Sequence, residues 1–163
     1  MQPQTPDTPP AGPGAQALAQ LHAWGQDATM PAVRAFYAPL QAAQERGGVT
    51  LHADLAYGGH PRHRLDVYQP EGGAAGRPVL VFLHGGGFIR GDRQDRANLG
   101  WWGARQGFVT VLPNYRLAPE AQWPAGGQDV AAVWQWLQSH AARFGGDAAR
   151  IVLAGESAGA AHV

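Results

Sequence analysis

The spacing of hydrophobic positions changes several times along the chain, and each change marks an element. Between residues 126 and 144, apolar side chains recur at Val130, Val133, Trp134, Leu137, Ala141 and Phe144. That is the 3.6-residue period of an amphipathic helix, and it predicts a helix across the stretch. Gly145-Gly146-Asp147 stops it, and Asp129 lies near its amino terminus, where negative charge is favoured. Residues 78–83 (PVLVFL) and 108–112 (FVTVL) are continuous β-branched apolar runs instead. Such runs belong to strands covered on both faces, as in a parallel sheet. Between them, residues 95–106 predict a helix with Leu99 and Trp102 facing the core. Strand, helix and strand within about thirty residues form a βαβ unit, with parallel strands and a right-handed crossover.

Looser alternation predicts two earlier strands, at residues 49–57 and 64–69. The turn Gly58-Gly59-His60-Pro61 separates them, and Pro70 with the loop 71–77 closes the second. Upstream, residues 15–24 predict a helix with Leu18, Leu21 and Trp24 on one stripe. Thr29 as cap and Pro31 in the first turn start a second helix, which runs to about residue 45. Val33, Phe36, Tyr37 and Leu40 share one of its faces. Residues 1–14 (MQPQTPDTPPAGPG) are Pro-rich and polar, and are expected to form a disordered tail. The chain therefore divides into that tail, the amino-terminal helices of residues 15–48, and an α/β part over residues 49–163.

The candidate chemistry lies at the ends of two strands. The apolar run Ile151-Val152-Leu153-Ala154 leads into Gly155-Glu156-Ser157-Ala158-Gly159, followed by an Ala-rich, helix-prone segment. This is G-x-S-x-G between strand and helix signals. A serine hydroxyl is a weak nucleophile that must be held exposed beside a base. A sharp strand-to-helix turn holds it so, with small glycines at both flanks to let strand and helix approach. The chain has 23 glycines, so the bare pattern has modest specificity; its strand–turn–helix setting adds the rest. At the end of the 78–83 strand stands His84-Gly85-Gly86-Gly87-Phe88. Three consecutive glycines give up conformational entropy without packing gain, which is explained if backbone N–H groups must approach a ligand closely. In acyl transfer that ligand is the oxyanion of the tetrahedral intermediate. A flexible turn is the plainer alternative. A phosphate loop is disfavoured, because neither G-x-x-x-x-G-K-[ST] nor G-x-G-x-x-G is present.

HGGGF at 84–88, NYRLAPE at 114–120 and GESAG at 155–159, in that order and spacing, resemble the hormone-sensitive-lipase-like branch of the α/β-hydrolase serine esterases. Residues 65–70 (LDVYQP) and 123–125 (WPA) are similar to that family's segments as well. The resemblance implies a three-layer α/β-hydrolase fold, with a mostly parallel sheet and helices on both faces, here reaching only just past the nucleophile elbow. It implies Ser157 as nucleophile and the N–H groups of Gly86, Gly87 and Ala158 as the oxyanion hole. It gives His84 a structural role and makes Arg116 and Glu120 hydrogen-bonding residues rather than chemical ones. It also makes the amino-terminal helices part of a cap, where Trp24, Phe36 or Tyr37 would line an acyl pocket or simply pack.

Composition removes other classes. Twelve basic and twelve acidic residues give zero formal net charge, and no charged block points to nucleic acid. Without cysteine there is no disulfide, thiolate metal site or cysteine nucleophile. His60 and His63, flanked by Arg62 and Arg64, have no nearby carboxylate in sequence and read as a solvated hairpin rather than a metal site. Arg90-Gly91-Asp92 is discounted as an adhesion signal. No metal or cofactor is expected, and the expected partner is a small-molecule ester. No apolar run is long enough for a membrane span, nor does the amino terminus resemble a signal peptide, so a cytoplasmic protein is expected.

The sequence ends six residues after Ser157. The chain order Ser, Asp/Glu, His places the acid and base beyond the elbow. His162, five residues on, would point ~140° away on a helix. The expectation is therefore the amino-terminal part of a longer carboxylesterase acting on short-chain esters, itself nearly inactive. Residues 151–154 would then be an exposed apolar edge. The alternatives are an amidase or formamidase on the same scaffold, a non-catalytic binding protein, and a non-functional fragment.

Overall fold

The computed structural model describes residues 13–25 and 29–163. Its contacts group into two units, residues 1–44 and 45–163. The first holds α1 (Pro13–Trp24) and α2 (Met30–Ala42). Helix α1 begins two residues earlier than its stripe predicts, and the rest of the expected tail lies outside the described residues. Thr29 caps α2 as expected, its hydroxyl accepting from the Ala32 N–H at 3.4 Å. The helix stops three residues short of residue 45. Trp24 meets Phe36 edge-on at 5.5 Å, and Phe36 meets Tyr37 at 5.3 Å. Leu18 and Leu40 stay 54% and 39% exposed, so these stripes are only partly covered.

The second unit is a five-stranded sheet of β1 (Val49–Ala56), β2 (Arg64–Pro70), β3 (Arg77–Leu83), β4 (Val109–Pro113) and β5 (Gly146–Gly155), in the order β1-β2-β4-β3-β5. Strand β3 pairs in parallel with β4 and β5, while β2 is antiparallel to both β1 and β4. The sheet is thus mixed, its parallel half being the half that carries the motifs. Helix α3 (Ala97–Arg105) connects β3 to β4, giving the expected parallel βαβ unit. Helix α4 (Ala125–His140) precedes β5. Strand β5 lies at one edge of the sheet, and its Val152 is 50% exposed. Among the described residues no helix is long and apolar enough to cross a membrane.

Successive strand residues face opposite ways, and the sheet is covered on both sides accordingly. Leu65, Val67, Val79, Val81, Leu83, Val109 and Val111 pack with Val130, Val133 and Leu137 of α4. Tyr68 and Leu112 pack on the other side with Ala104 and Trp101 of α3. Each fully buried aliphatic side chain contributes about 1.5–3 kcal/mol, so the central strands β2, β4 and β3, which carry most of them, are the firmest part of the sheet. Two sequence expectations fail here. Trp134 lies at the flank of the α4 stripe and remains 39% exposed. Trp102 is 51% exposed, while its neighbour Trp101 meets Tyr68 edge-on at 5.1 Å. The buried face of α3 is made by Gly100, Gly103 and Ala104. A Cβ on Gly100 would run into the Tyr68 ring, and one on Gly103 into the Thr110 hydroxyl. Close approach rather than bulk holds this helix down.

Two buried tyrosines tie the core to the loops above it, and a third, Tyr68, is buried within it. The Tyr57 hydroxyl donates to the Asn114 carbonyl at 2.6 Å, and that of Tyr115 to the His84 carbonyl at 2.8 Å. Burial pushes Tyr68 and Tyr115 each up to about 12, and Tyr57 further still. A raised folded-state pKa is stability that is fully present below the unfolded value of about 10 and lost as pH rises through the folded value. The protein should therefore lose its melting temperature steeply between the two. Phenolate absorbance should rise together with unfolding rather than before it. Titration of these rings in a still-folded protein would contradict this.

Candidate active site

The strand β5 delivers Ser157, and main-chain contacts hold it there. Ser157 has φ +48°, a left-handed conformation that serine seldom adopts without support. The support is close packing of backbone. The Glu156 N–H donates to the Leu83 carbonyl at 3.2 Å, and the Gly159 N–H to the Glu156 carbonyl at 2.8 Å. A Cβ on Gly155 would lie 2.6 Å from the Gly159 carbonyl carbon, and one on Gly159 would overlap the carbonyl oxygens of Leu83 and His84. Both motif glycines are thus required by contact. The segment after them forms only a short 3-10 turn, Ala160–His162.

Beside the elbow runs the loop leaving β3. Gly86 and Gly87 have φ +138° and +62°, and the Gly86 carbonyl accepts from the N–H groups of Ile89 and Arg90 at 3.3 and 3.2 Å. A Cβ on Gly86 would overlap the Arg90 carbonyl. Among the described residues the N–H groups of Gly86, Gly87 and Ala158 donate to no protein acceptor. These are the three donors expected from the sequence. The Ser157 hydroxyl likewise has no hydrogen-bond partner among the described residues.

Beneath the glycine loop, His84 is 1% exposed and stacks on Tyr115 at 4.5 Å. Its Nδ1 lies 2.8 Å from the Gly85 carbonyl, and its Nε2 lies 3.4 Å from Arg62 Nη2. Burial, with the Arg62 charge adding to it, lowers the His84 pKa. The partners assign a neutral ring with the proton on Nδ1, donating to Gly85 and accepting from Arg62. Arg62 also donates to the carbonyls of Tyr115 at 2.7 Å and Gly91 at 3.0 Å. Asp92 caps the next turn (Arg93–Arg96), and Arg93 reaches Asp66 at 2.8 Å and Asp54 at 2.9 Å. The Arg-Gly-Asp triplet is therefore built into the frame of the loop.

NYRLAPE supplies the other wall. The Asn114 side chain accepts from the Arg93 N–H at 2.6 Å and donates to Asp92 at 2.7 Å. Arg116 donates to Asp129 through its backbone N–H at 2.7 Å and through Nε at 2.9 Å. Glu120, expected to bond alongside it, makes no hydrogen bond among the described residues. Asp129 is 2% exposed and also pairs with His63 at 3.1 Å, so it is an ionic anchor rather than a simple helix-end charge. His63 is accordingly no part of a solvated hairpin: its side chain is 14% exposed and its ring stacks on Tyr57 at 4.8 Å. Among the described residues no cluster of three or more His, Asp or Glu could hold a metal ion.

His162 packs edge-on against Tyr115 at 4.7 Å and Phe88 at 5.3 Å, away from any bond to Ser157. Burial lowers its pKa, and its Nδ1 is buried without a partner. It lines an apolar cavity of about 340 Å³ with Phe88, Trp123 and Gly126. Sequence reading missed the Glu156–Arg96, Arg62–His84 and Asp129–His63 pairs, whose members lie 60, 22 and 66 residues apart.

The geometry has counterparts among known proteins. Residues 65–163 match the BD-FAE family. A probable isoprenylcysteine alpha-carbonyl methylesterase of Arabidopsis thaliana is 37% identical over 110 residues, covering 68% of this chain and 26% of the relative. Carboxylesterase NlhH of Mycobacterium tuberculosis is 41% identical over 107 residues, covering 64% of this chain and 33% of the relative. Among solved structures, esterase B from Lactobacillus rhamnosis superposes with a TM-score of 0.67 at 29% identity, covering 88% of this chain and 46% of that one. A bacterial heroin esterase gives 0.66 at 31% identity, covering 88% and 48%. The chain thus spans about a quarter to a third of the curated relatives and under half of the solved structures. With the α/β-hydrolase fold, the ordered HGGGF, NYRLAPE and GESAG motifs and the match over residues 65–163, the chain belongs to the BD-FAE family.

Proposed function

We propose that the protein is a serine hydrolase of small carboxylic esters in which Ser157 is the nucleophile. The observation that carries this reading is the left-handed Ser157 beside three N–H donors with no protein acceptor. In the proposed reaction Ser157 Oγ attacks the ester carbonyl and gives its proton to a general base. The negative charge that forms on the carbonyl oxygen is met by Gly86, Gly87 and Ala158. Collapse expels the alcohol, which takes that proton, and water then releases the acid. Such preformed donors suit charge that exists only in the transition state. The base and its carboxylate are assigned to segments outside the present sequence. This is supported by the absence of any histidine or carboxylate bonded to Ser157 among the described residues, and by the greater length of the relatives. We take the substrates to be short-chain esters.

The test is labelling of the natural full-length protein with a fluorophosphonate, beside hydrolysis of short-chain nitrophenyl esters. Wild type should label and hydrolyse, and Ser157→Ala should do neither. A folded wild type inert to both reagents overturns the proposal.

A further inference from the structure

The function proposed above leaves Glu156 without a task, although it touches both sides of the candidate oxyanion site. Its Oε1 accepts from the Gly85 N–H at 3.0 Å and from Arg96 Nη2. Gly85 immediately precedes the donors Gly86 and Gly87, and Glu156 stands two residues before the donor Ala158. The carboxylate therefore spans from the elbow to the glycine loop. A second link runs nearby, from the Glu156 N–H to the Leu83 carbonyl at 3.2 Å. Main chain and side chain of one residue thus join the two donor segments at two points. With a single link the loop could pivot; with two it holds one spacing.

Arg96 is delivered to this position by a braced turn. Asp92 caps it, accepting from the Gln94 N–H at 2.9 Å, and Asp95 accepts in return from the Asp92 N–H at 3.1 Å. The neighbouring Arg93 is anchored to Asp66 and Asp54. Burial acts to raise the Glu156 pKa, yet the bonds from Arg96 and Gly85 and the Arg96 charge outweigh it and hold the carboxyl ionised. An unbalanced carboxylate here would oppose a developing oxyanion. Arg96 supplies the balancing charge.

We propose that Glu156 is a positioning residue, whose Arg96-held carboxylate ties the Gly85 N–H to the elbow and sets the spacing between the Gly86–Gly87 and Ala158 donors. This rests on the ester-hydrolase reading. A misplacement of about 1 Å in such a site costs on the order of 10²-fold in rate.

The experiment compares Glu156→Ala and Glu156→Gln in the full-length protein by kcat, KM and amide hydrogen exchange at Gly85. Glu156→Ala should lower kcat about 10²-fold, leave KM within about threefold because ground-state binding is untouched, and speed exchange at Gly85. Glu156→Gln keeps an acceptor for Gly85 and should stay within about tenfold of wild type, reflecting the weaker neutral bond. Should Glu156→Ala fail to fold, Arg96→Met releases the carboxylate from its other side and should lower kcat about tenfold. An undiminished kcat in Glu156→Ala or Arg96→Met, a Gln variant as poor as Ala, or unchanged Gly85 exchange each overturns the proposal. A wild type inert towards esters and fluorophosphonates instead overturns the hydrolase reading, and this role with it. Exchange at Gly85 still reports in that case whether the tie exists.

Discussion

Replacing Asp129 with alanine should destabilise the protein by about 3 kcal/mol, the largest stability effect expected of any single side chain described above. Its carboxylate is 2% exposed and receives the backbone N–H and guanidinium of Arg116 together with the His63 ring. Truncation leaves these donors facing a void that water only partly fills. Breaking a buried pair this way costs about 3–5 kcal/mol. The lower end applies because the Arg116 side chain is 27% exposed and regains some hydration. Asp129→Asn keeps the volume and one acceptor, and should cost about half as much. Urea unfolding of the full-length protein at neutral pH provides the check. A shift below about 1 kcal/mol at constant slope would mean that Asp129 is not what fastens the NYRLAPE loop to α4.

Replacing Ser157 with glycine should act in opposite directions on activity and stability. On the function proposed above, the full-length protein without the Ser157 hydroxyl should lose about 10⁴-fold or more in kcat, leaving what the proposed oxyanion donors and binding alone can supply. Yet Ser157 sits at φ +48°, where a Cβ costs roughly 1–2 kcal/mol. Glycine removes that strain and gives part of the gain back through the greater freedom of the unfolded chain. A net gain of about 1 kcal/mol is expected. Ser157→Ala keeps the Cβ and should be as inactive without being stabilised. Equal melting temperatures for the glycine and alanine variants would show that the elbow is not strained at this residue.

The parts of the fold visible in the sequence are those whose signal is local. PVLVFL and FVTVL read as covered strands because both faces of the sheet are packed, and the α4 stripe fixed its buried side through Val130, Val133 and Leu137. The glycine-rich loop and the elbow were legible for the same reason. Each element positions its own backbone, and glycine is the residue such backbones need. Helix α3 was misread because its buried face is small. Hydrophobic bulk pointed to Trp102, whereas close approach at Gly100 and Gly103 turned Trp101 inward. The ionic frame left no local trace at all. His63 and Asp129 come together only once β2 and α4 are in place, and Glu156 finds Arg96 across 60 residues.

The contact of Gly155 and Gly159 with main-chain atoms bears on how this scaffold can change. Ser157 is located by carbonyls and peptide planes, which every amino acid shares. The cavity walls at Phe88, Trp123 and His162 are side chains. Those walls can be exchanged one at a time, altering what fits without moving the serine. Novelty is cheap at the rim and forbidden at the hinge, so divergence among such proteins should gather in the lining and leave the two glycines alone.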